Sequence, residues 1–172
     1  MRRLTSLKIS RRRAIEHQCP RCNHVWEELE PDAAPTFDEL LNRYPEEERY
    51  HAVRVATSII LLEQSEDIYA AAAFHDLVED QLATLAEIAL CAGAEVARIV
   101  ERVTRRDEET YSDFILRVSE CPKASRVKYA DLLDNIARQV LPGNKPSLLP
   151  RYLKAIAVLA PMVITSIEDI HD

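Results

Sequence analysis

The sequence is poor in glycine, cysteine and long apolar runs. Its two glycines, Gly93 and Gly143, leave few places where the backbone can turn sharply through positive φ, which disfavours a strand-rich sandwich and favours helices. Four cysteines in 172 residues are too few for the framework of a small secreted domain, and no apolar stretch follows the N-terminal arginines as a signal peptide requires. A cytoplasmic protein is expected. The run 155–165 is broken by Pro161 and is shorter than the roughly 20 residues that span a bilayer, so no membrane segment is expected either. A chain of this length fits one domain, able to bury roughly 70% of the surface its unfolded form exposes.

The net charge of −7 is unevenly spread: Arg2, Arg3, Lys8, Arg11, Arg12 and Arg13 face no acid within the first thirteen residues. The remaining body is strongly acidic and a poor partner for nucleic acid, whose phosphates it repels. Any such contact falls to the basic arm, which otherwise reads as a solvated tail. Residues 1–34 form an irregular appendage: the arm, a stretch with Cys19 and Cys22, and an acidic linker bounded by Pro31 and Pro35. His17, Cys19, Cys22 and His24 offer zinc ligands, but a second Cys-x-x-Cys is missing and four ligands within eight residues strain a tetrahedral site. The knuckle therefore reads either as a Zn2+ site or as an inert turn.

From residue 35 on, helical signals dominate and no strand is convincing. Thr36 with Glu39, and Thr84 with Glu87, make capping boxes, in which side chains satisfy orphan backbone donors at a helix start. Pro45 and Pro122 suit first helical turns. Apolar spacing predicts helices over 45–64, 66–80, 94–103, 111–120 and 122–138, with Gly93 ending a short helix after Thr84 in the left-handed conformation. A last helix starts near Ser147 and is bent or interrupted at Pro161. The expected architecture is an all-α bundle over 35–172.

The chemistry concentrates in Phe74-His75-Asp76-Leu77-Val78-Glu79-Asp80, which follows the small residues Ala70 to Ala73. On a helix, His75 with Glu79 and Asp76 with Asp80 form neighbouring rows. Such a cluster of acids repels itself unless a cation sits among them. Histidine and aspartate suit a borderline divalent metal such as manganese, iron or zinc. Two ligands hold a metal weakly, and the best further candidates are His51, opening an apolar stretch, and Asp131, within the buried-looking Val127 to Asn135. Taken singly, His51 also fits a hydrogen-bonded core residue, and Asp131 fits a partner of Lys128.

The order His51, His75-Asp76, Asp131 resembles the HD-domain phosphohydrolases. The run His75-Asp76-Leu77-Val78-Glu79-Asp80 is similar to the His-Asp-x-Val-Glu-Asp motif of the alarmone hydrolase domains of Rel and SpoT proteins and of short stand-alone hydrolases. Agreement continues through Thr84, Gly93 to Thr104, and the Val-Lys-x-Ala-Asp-x-x-x-Asn pattern of Val127 to Asn135. The resemblance covers roughly residues 45–140. It implies one divalent metal, manganese, on His51, His75, Asp76 and Asp131; Glu79 and Asp80 as catalytic carboxylates; and Asn135 and Lys128 as contacts to the sugar and phosphate of a nucleotide. The implied reaction is hydrolysis of a nucleotide (pyro)phosphate ester such as the 3′-pyrophosphate of (p)ppGpp. The rival readings are a nucleotidase acting on nucleoside monophosphates or deoxynucleotides, and a non-catalytic regulatory module binding nucleotide or nucleic acid. The sequence departs from the alarmone branch at Arg43 to Tyr50, where Glu46, Glu47 and Glu48 stand in place of cations. A monomer and a homo-oligomer both remain open.

Overall fold

The computed structural model describes residues 14–18, 25–29, 34–62, 65–140 and 148–168. The chain divides into two compact units, Met1–Ala34 and Pro35–Asp172. In the first, strands β1 (Ala14–Gln18) and β2 (Val25–Leu29) pair antiparallel, with Ala14 opposite Leu29 and Gln18 opposite Val25. The appendage expected to be irregular thus contains a strand pair. Each strand is only 5 residues long, too short for alternation to stand out, although Ile15, Val25 and Trp26 are residue types at home in strands. Cys19 and Cys22 of the proposed knuckle lie outside the described residues.

The regular elements of the second unit among its described residues are all helices: α1 (Phe37–Leu41), α2 (Glu46–Leu62), α3 (Glu66–Ala73), α4 (Leu85–Ala92), α5 (Ala94–Val103), α6 (Tyr111–Ser119), α7 (Pro122–Gln139) and α8 (Leu149–Glu168). Both expected capping boxes form, at Thr36 with Glu39 and at Thr84 with Glu87, and Pro122 opens α7. Gly93 joins α4 to α5 at φ 96° and ψ 159°, an extended positive-φ conformation that glycine tolerates, not the left-handed helical cap expected there. α8 continues through Pro161; the ring lies on the exposed side of the helix, where water can serve the carbonyl that proline leaves without a donor. Among the described residues no helix is long and apolar enough to cross a membrane.

The core forms around α3, which packs against α2, α5 and α7. Ala70, Ala71, Ala72 and Ala73 are buried there, and side chains this small let the neighbouring helices approach closely. Phe74, Leu77, Ile88, Val100, Val118, Leu132 and Leu159 fill the surrounding volume.

The helix expected over 66–80 stops at Ala73, and 74–81 is a series of turns. Nδ1 of His75 donates to the Ala72 carbonyl at 2.8 Å, the acceptor that an α-helix reserves for the N–H of Asp76. That N–H donates instead to the Tyr44 hydroxyl at 3.2 Å. Leu77 then bonds back only three residues to Phe74, while Leu82 and Ala83 both donate to the Leu77 carbonyl at 2.8 and 3.0 Å. Gln81 takes φ 59° to close the turn.

Because Ala71 is fully buried at the centre of α3, Ala71→Leu is expected to destabilise the protein by about 1–3 kcal/mol through overpacking. Urea unfolding of the variant beside wild type checks this; an unchanged midpoint would show that the neighbours give way freely.

Candidate metal centre

Three elements bring the polar cluster together inside the bundle. His51 projects from α2, His75 and Asp76 from the turn after α3, and Asp131 from the middle of α7. His51, His75 and Asp131 are buried at 4%, 1% and 3% exposure, which for titratable groups requires partners. His51 Nε2 lies 3.1 Å from Asp131 Oδ1, and His75 Nε2 lies 3.6 Å from the same oxygen and 3.0 Å from Asp76 Oδ2. The two imidazoles meet edge to face with centroids 5.1 Å apart.

The outer nitrogen of each ring is held. Nδ1 of His75 is tied to the Ala72 carbonyl, and Nδ1 of His51 lies 2.7 Å from Asp134 Oδ2. An acceptor at Nδ1 favours the tautomer that carries the proton there and turns the Nε2 lone pair inward. Asp134 is itself fixed by Arg54, whose Nε and Nη2 donate to its two oxygens at 2.7 and 3.0 Å.

One ligand atom from each of His51, His75 and Asp131 lies within 4.8 Å of the others. Asp76 borders this group through its contact with His75. Nε2 of His75 is buried and makes no hydrogen bond among the described residues, although Asp76 Oδ2 stands 3.0 Å away. A buried nitrogen without a partner, facing two carboxylates, is a donor set that suits a divalent cation.

The electrostatics agree. Burial alone would lower the His75 pKa, but the charges of Asp76 and Asp131 outweigh it and raise it to about 10. Burial would raise Asp131, yet Lys128, His51 and His75 hold it well below the usual carboxylate range. Asp76 is likewise lowered, burial being outweighed by His75. The cluster therefore holds its carboxylates ionised, and their charge favours a proton on the His75 ring, at the position where a divalent cation would compete with it.

The remaining expected residues fall into two groups. Lys128 and Asn135 share a face of α7 with Asp131 and both hold it: Lys128 Nζ lies 2.7 Å from Oδ2, and Asn135 Nδ2 donates to Oδ1 at 2.5 Å. Burial would lower Lys128, but Asp131 and Asp76 raise it above its ordinary value. Glu79 and Asp80 lie on the exposed part of the turn. Glu79 Oε2 accepts the backbone N–H of Arg105 at 3.2 Å. Asp80 is raised above its ordinary value by partial burial and by the charges of Asp76, Glu79 and Glu48.

Two contributors were not anticipated. Asp134 sits three residues after Asp131, as Arg54 sits three after His51; matching spacings on two helices were the available signal for this pairing. Tyr44, buried at 3% exposure, supplies the hydroxyl that caps the Asp76 N–H, and nothing in its sequence context marks that role. Asp134→Ala is expected to weaken binding of Mn2+ to the full chain about 10- to 100-fold, in the range found when outer partners of metal-ligating histidines are removed. Isothermal titration with the metal checks this; undiminished affinity would show that Asp134 plays no part in metal binding.

Comparison with known proteins agrees with this geometry. The chain is similar to the guanosine-3′,5′-bis(diphosphate) 3′-pyrophosphohydrolase of Aquifex aeolicus (strain VF5), with 33% identity over 94 residues, 50% of this chain and 14% of that protein. The match therefore spans only a small part of that relative's length. The family model described as HD domain matches residues 33–136, a stretch that contains His51, His75, Asp76, Asp131 and Asp134, and the chain belongs to the HD-domain family.

Proposed function

We propose that this protein is a metal-dependent phosphohydrolase that cleaves a (pyro)phosphate ester of a nucleotide, with the 3′-pyrophosphate of a guanosine bis(diphosphate) as the favoured substrate. The observation that carries this reading is the convergence of His51 Nε2, His75 Nε2 and the Asp131 carboxylate, with the His75 nitrogen buried and without a partner. The similarity to a 3′-pyrophosphohydrolase supports the substrate class.

In this reading His51, His75, Asp76 and Asp131 hold one divalent ion, Mn2+. Such an ion lowers the pKa of water toward neutrality and polarises a phosphoryl oxygen. Asp134 and the Ala72 carbonyl keep both Nε2 atoms turned inward. Lys128 and Asn135 keep Asp131 ionised and aimed, and from the same face of α7 they contact the phosphate and sugar of the nucleotide. Glu79 and Asp80, on the open side of the turn, take the proton from the attacking water and return it to the leaving oxygen. A carboxyl raised by partial burial and by neighbouring acids, as Asp80 is, suits a group that must carry a proton for part of the cycle.

A second reading, a nucleotidase acting on nucleoside monophosphates or deoxynucleotides, draws on the first turn of α2, where Glu46, Glu47 and Glu48 disfavour a substrate bearing many negative charges. Initial rates separate the two: manganese-dependent release of pyrophosphate from guanosine 3′,5′-bis(diphosphate) is expected, with slower turnover of nucleoside mono- and triphosphates. Preferential turnover of monophosphates would favour the second reading, and no turnover of any nucleotide by the metal-loaded chain would remove both.

The division of roles has its own test. Asp76→Ala is expected to lose both metal and activity, whereas Glu79→Gln is expected to retain metal and lose activity by at least 100-fold. Metal content of the purified variants, measured beside rates, checks this; equal metal loss in both would refute the assignment.

A further inference from the structure

The loop between α5 and α6 has no part in the chemistry above, yet it is braced by more hydrogen bonds than a connection between two helices requires. Arg117 of α6 runs along it, donating to the Arg102 carbonyl at 2.9 Å and the Thr104 carbonyl at 3.0 Å and pairing with both oxygens of Glu109 at 2.7 and 2.8 Å. This pairing holds Glu109 down to about 2. Glu109 also accepts the Arg106 N–H through its carboxylate at 3.2 Å, and the Arg105 guanidinium through its carbonyl at 2.7 and 3.0 Å. At the other end, the N–H of Arg105 binds Glu79, so the loop is fastened to the turn that carries His75 and Asp76.

Between the loop and that turn lies a cleft of about 500 Å³, lined in part by Glu79, Thr104, Arg105, Arg106 and Asp107. Its volume falls within the range of roughly 300–1,000 Å³ typical of small-molecule sites. Several cations near the centre are already matched to carboxylates: Lys128 to Asp131, Arg54 to Asp134, and Arg43 to Glu87. Arg105 differs, because its two guanidinium hydrogen bonds go to a neutral carbonyl, which positions the charge without cancelling it. Arg106 adds a second guanidinium, shared with Glu101 at 3.1 Å. Glu79 and Asp107 bring negative charge to the same cleft, where Glu79 Oε2 faces the Arg105 backbone N–H at 3.2 Å. The first turn of α2, by contrast, offers three glutamates to an approaching phosphate.

We propose that this cleft is a second anion subsite, in which Arg105, assisted by Arg106, holds a phosphate of the nucleotide remote from the one at the metal centre. The inference rests on the phosphohydrolase reading and sharpens it: the substrate is a nucleotide phosphorylated at two positions, reaching from the His51, His75 and Asp131 cluster to the loop. A planar guanidinium with fixed orientation suits that task, since its unused N–H groups match phosphate oxygens.

The test is isothermal titration of the full chain with guanosine 3′,5′-bis(diphosphate) and with guanosine 5′-monophosphate, in EDTA so that turnover cannot confuse binding. The Arg105→Ala/Arg106→Ala variant is expected to bind the bis(diphosphate) at least tenfold more weakly, with less than a twofold change for the monophosphate. Arg105→Gln, which keeps a donor for the Glu109 carbonyl, guards against collapse of the loop and is expected to show the same selective loss. Undiminished affinity, equal weakening for both nucleotides, or a wild-type chain that binds neither would overturn the subsite. Arginine-dependent binding without hydrolysis in manganese would keep the subsite and remove the enzyme reading; hydrolysis with undiminished affinity in the variants would do the reverse.

Discussion

The Asp131 carboxylate, buried in the middle of α7, is the group on which the rest of the centre depends. Removed from water, it must be compensated, and four side chains do so: His51 at 3.1 Å, Lys128 at 2.7 Å, Asn135 at 2.5 Å and His75 at 3.6 Å. These partners come from α2, from α7 itself and from the turn after α3. The bundle is thus closed around one charge, and removing that carboxylate would leave a buried cation and two histidines without their shared partner.

The same economy of hydrogen bonding shapes the turn after α3. A regular helix through His75 would have pointed its side chains by helical geometry alone. Instead the His75 ring occupies the Ala72 carbonyl and Tyr44 takes the freed N–H of Asp76. Breaking the ladder here gives His75 a fixed ring orientation and lets Glu79 and Asp80 face outward while His75 stays buried. The alanines preceding the break make this feasible, since they allow α2, α5 and α7 to close on α3 at the point where His75 and Asp76 emerge.

Charge is distributed with a consistent direction across the site. Carboxylates inside the bundle are held ionised by buried cations and imidazoles, whereas Asp80 at the mouth is pushed upward by partial burial and by its acidic neighbours. On the far side of the turn, the Arg117 and Glu109 pair stiffens the loop that carries Arg105 and Arg106. Interior carboxylates thus keep their charge while a rim carboxyl is shifted toward its neutral form, a separation that a single helix face could not have produced.

Much of this was legible in the linear sequence, because helix caps are local properties and the candidate residues fall in short recognisable runs. The capping boxes at Thr36 and Thr84 and the proline opening α7 could be read from residue type and spacing, and the grouping of His51, His75 and Asp131 was implied by the resemblance of their order to the HD pattern. The tertiary structure alone decided what those side chains touch. The partner of His51 lies 83 residues away, the helix through the His75-Asp76 pair is broken by a hydroxyl from Tyr44, and Lys128 and Asn135 turn to Asp131. Strands β1 and β2 were missed because five residues are too few to show a period. The physical reason is common to these cases: periodicity reports which face of an element is apolar, but a hydrogen bond made across the bundle depends on where another element places its partner.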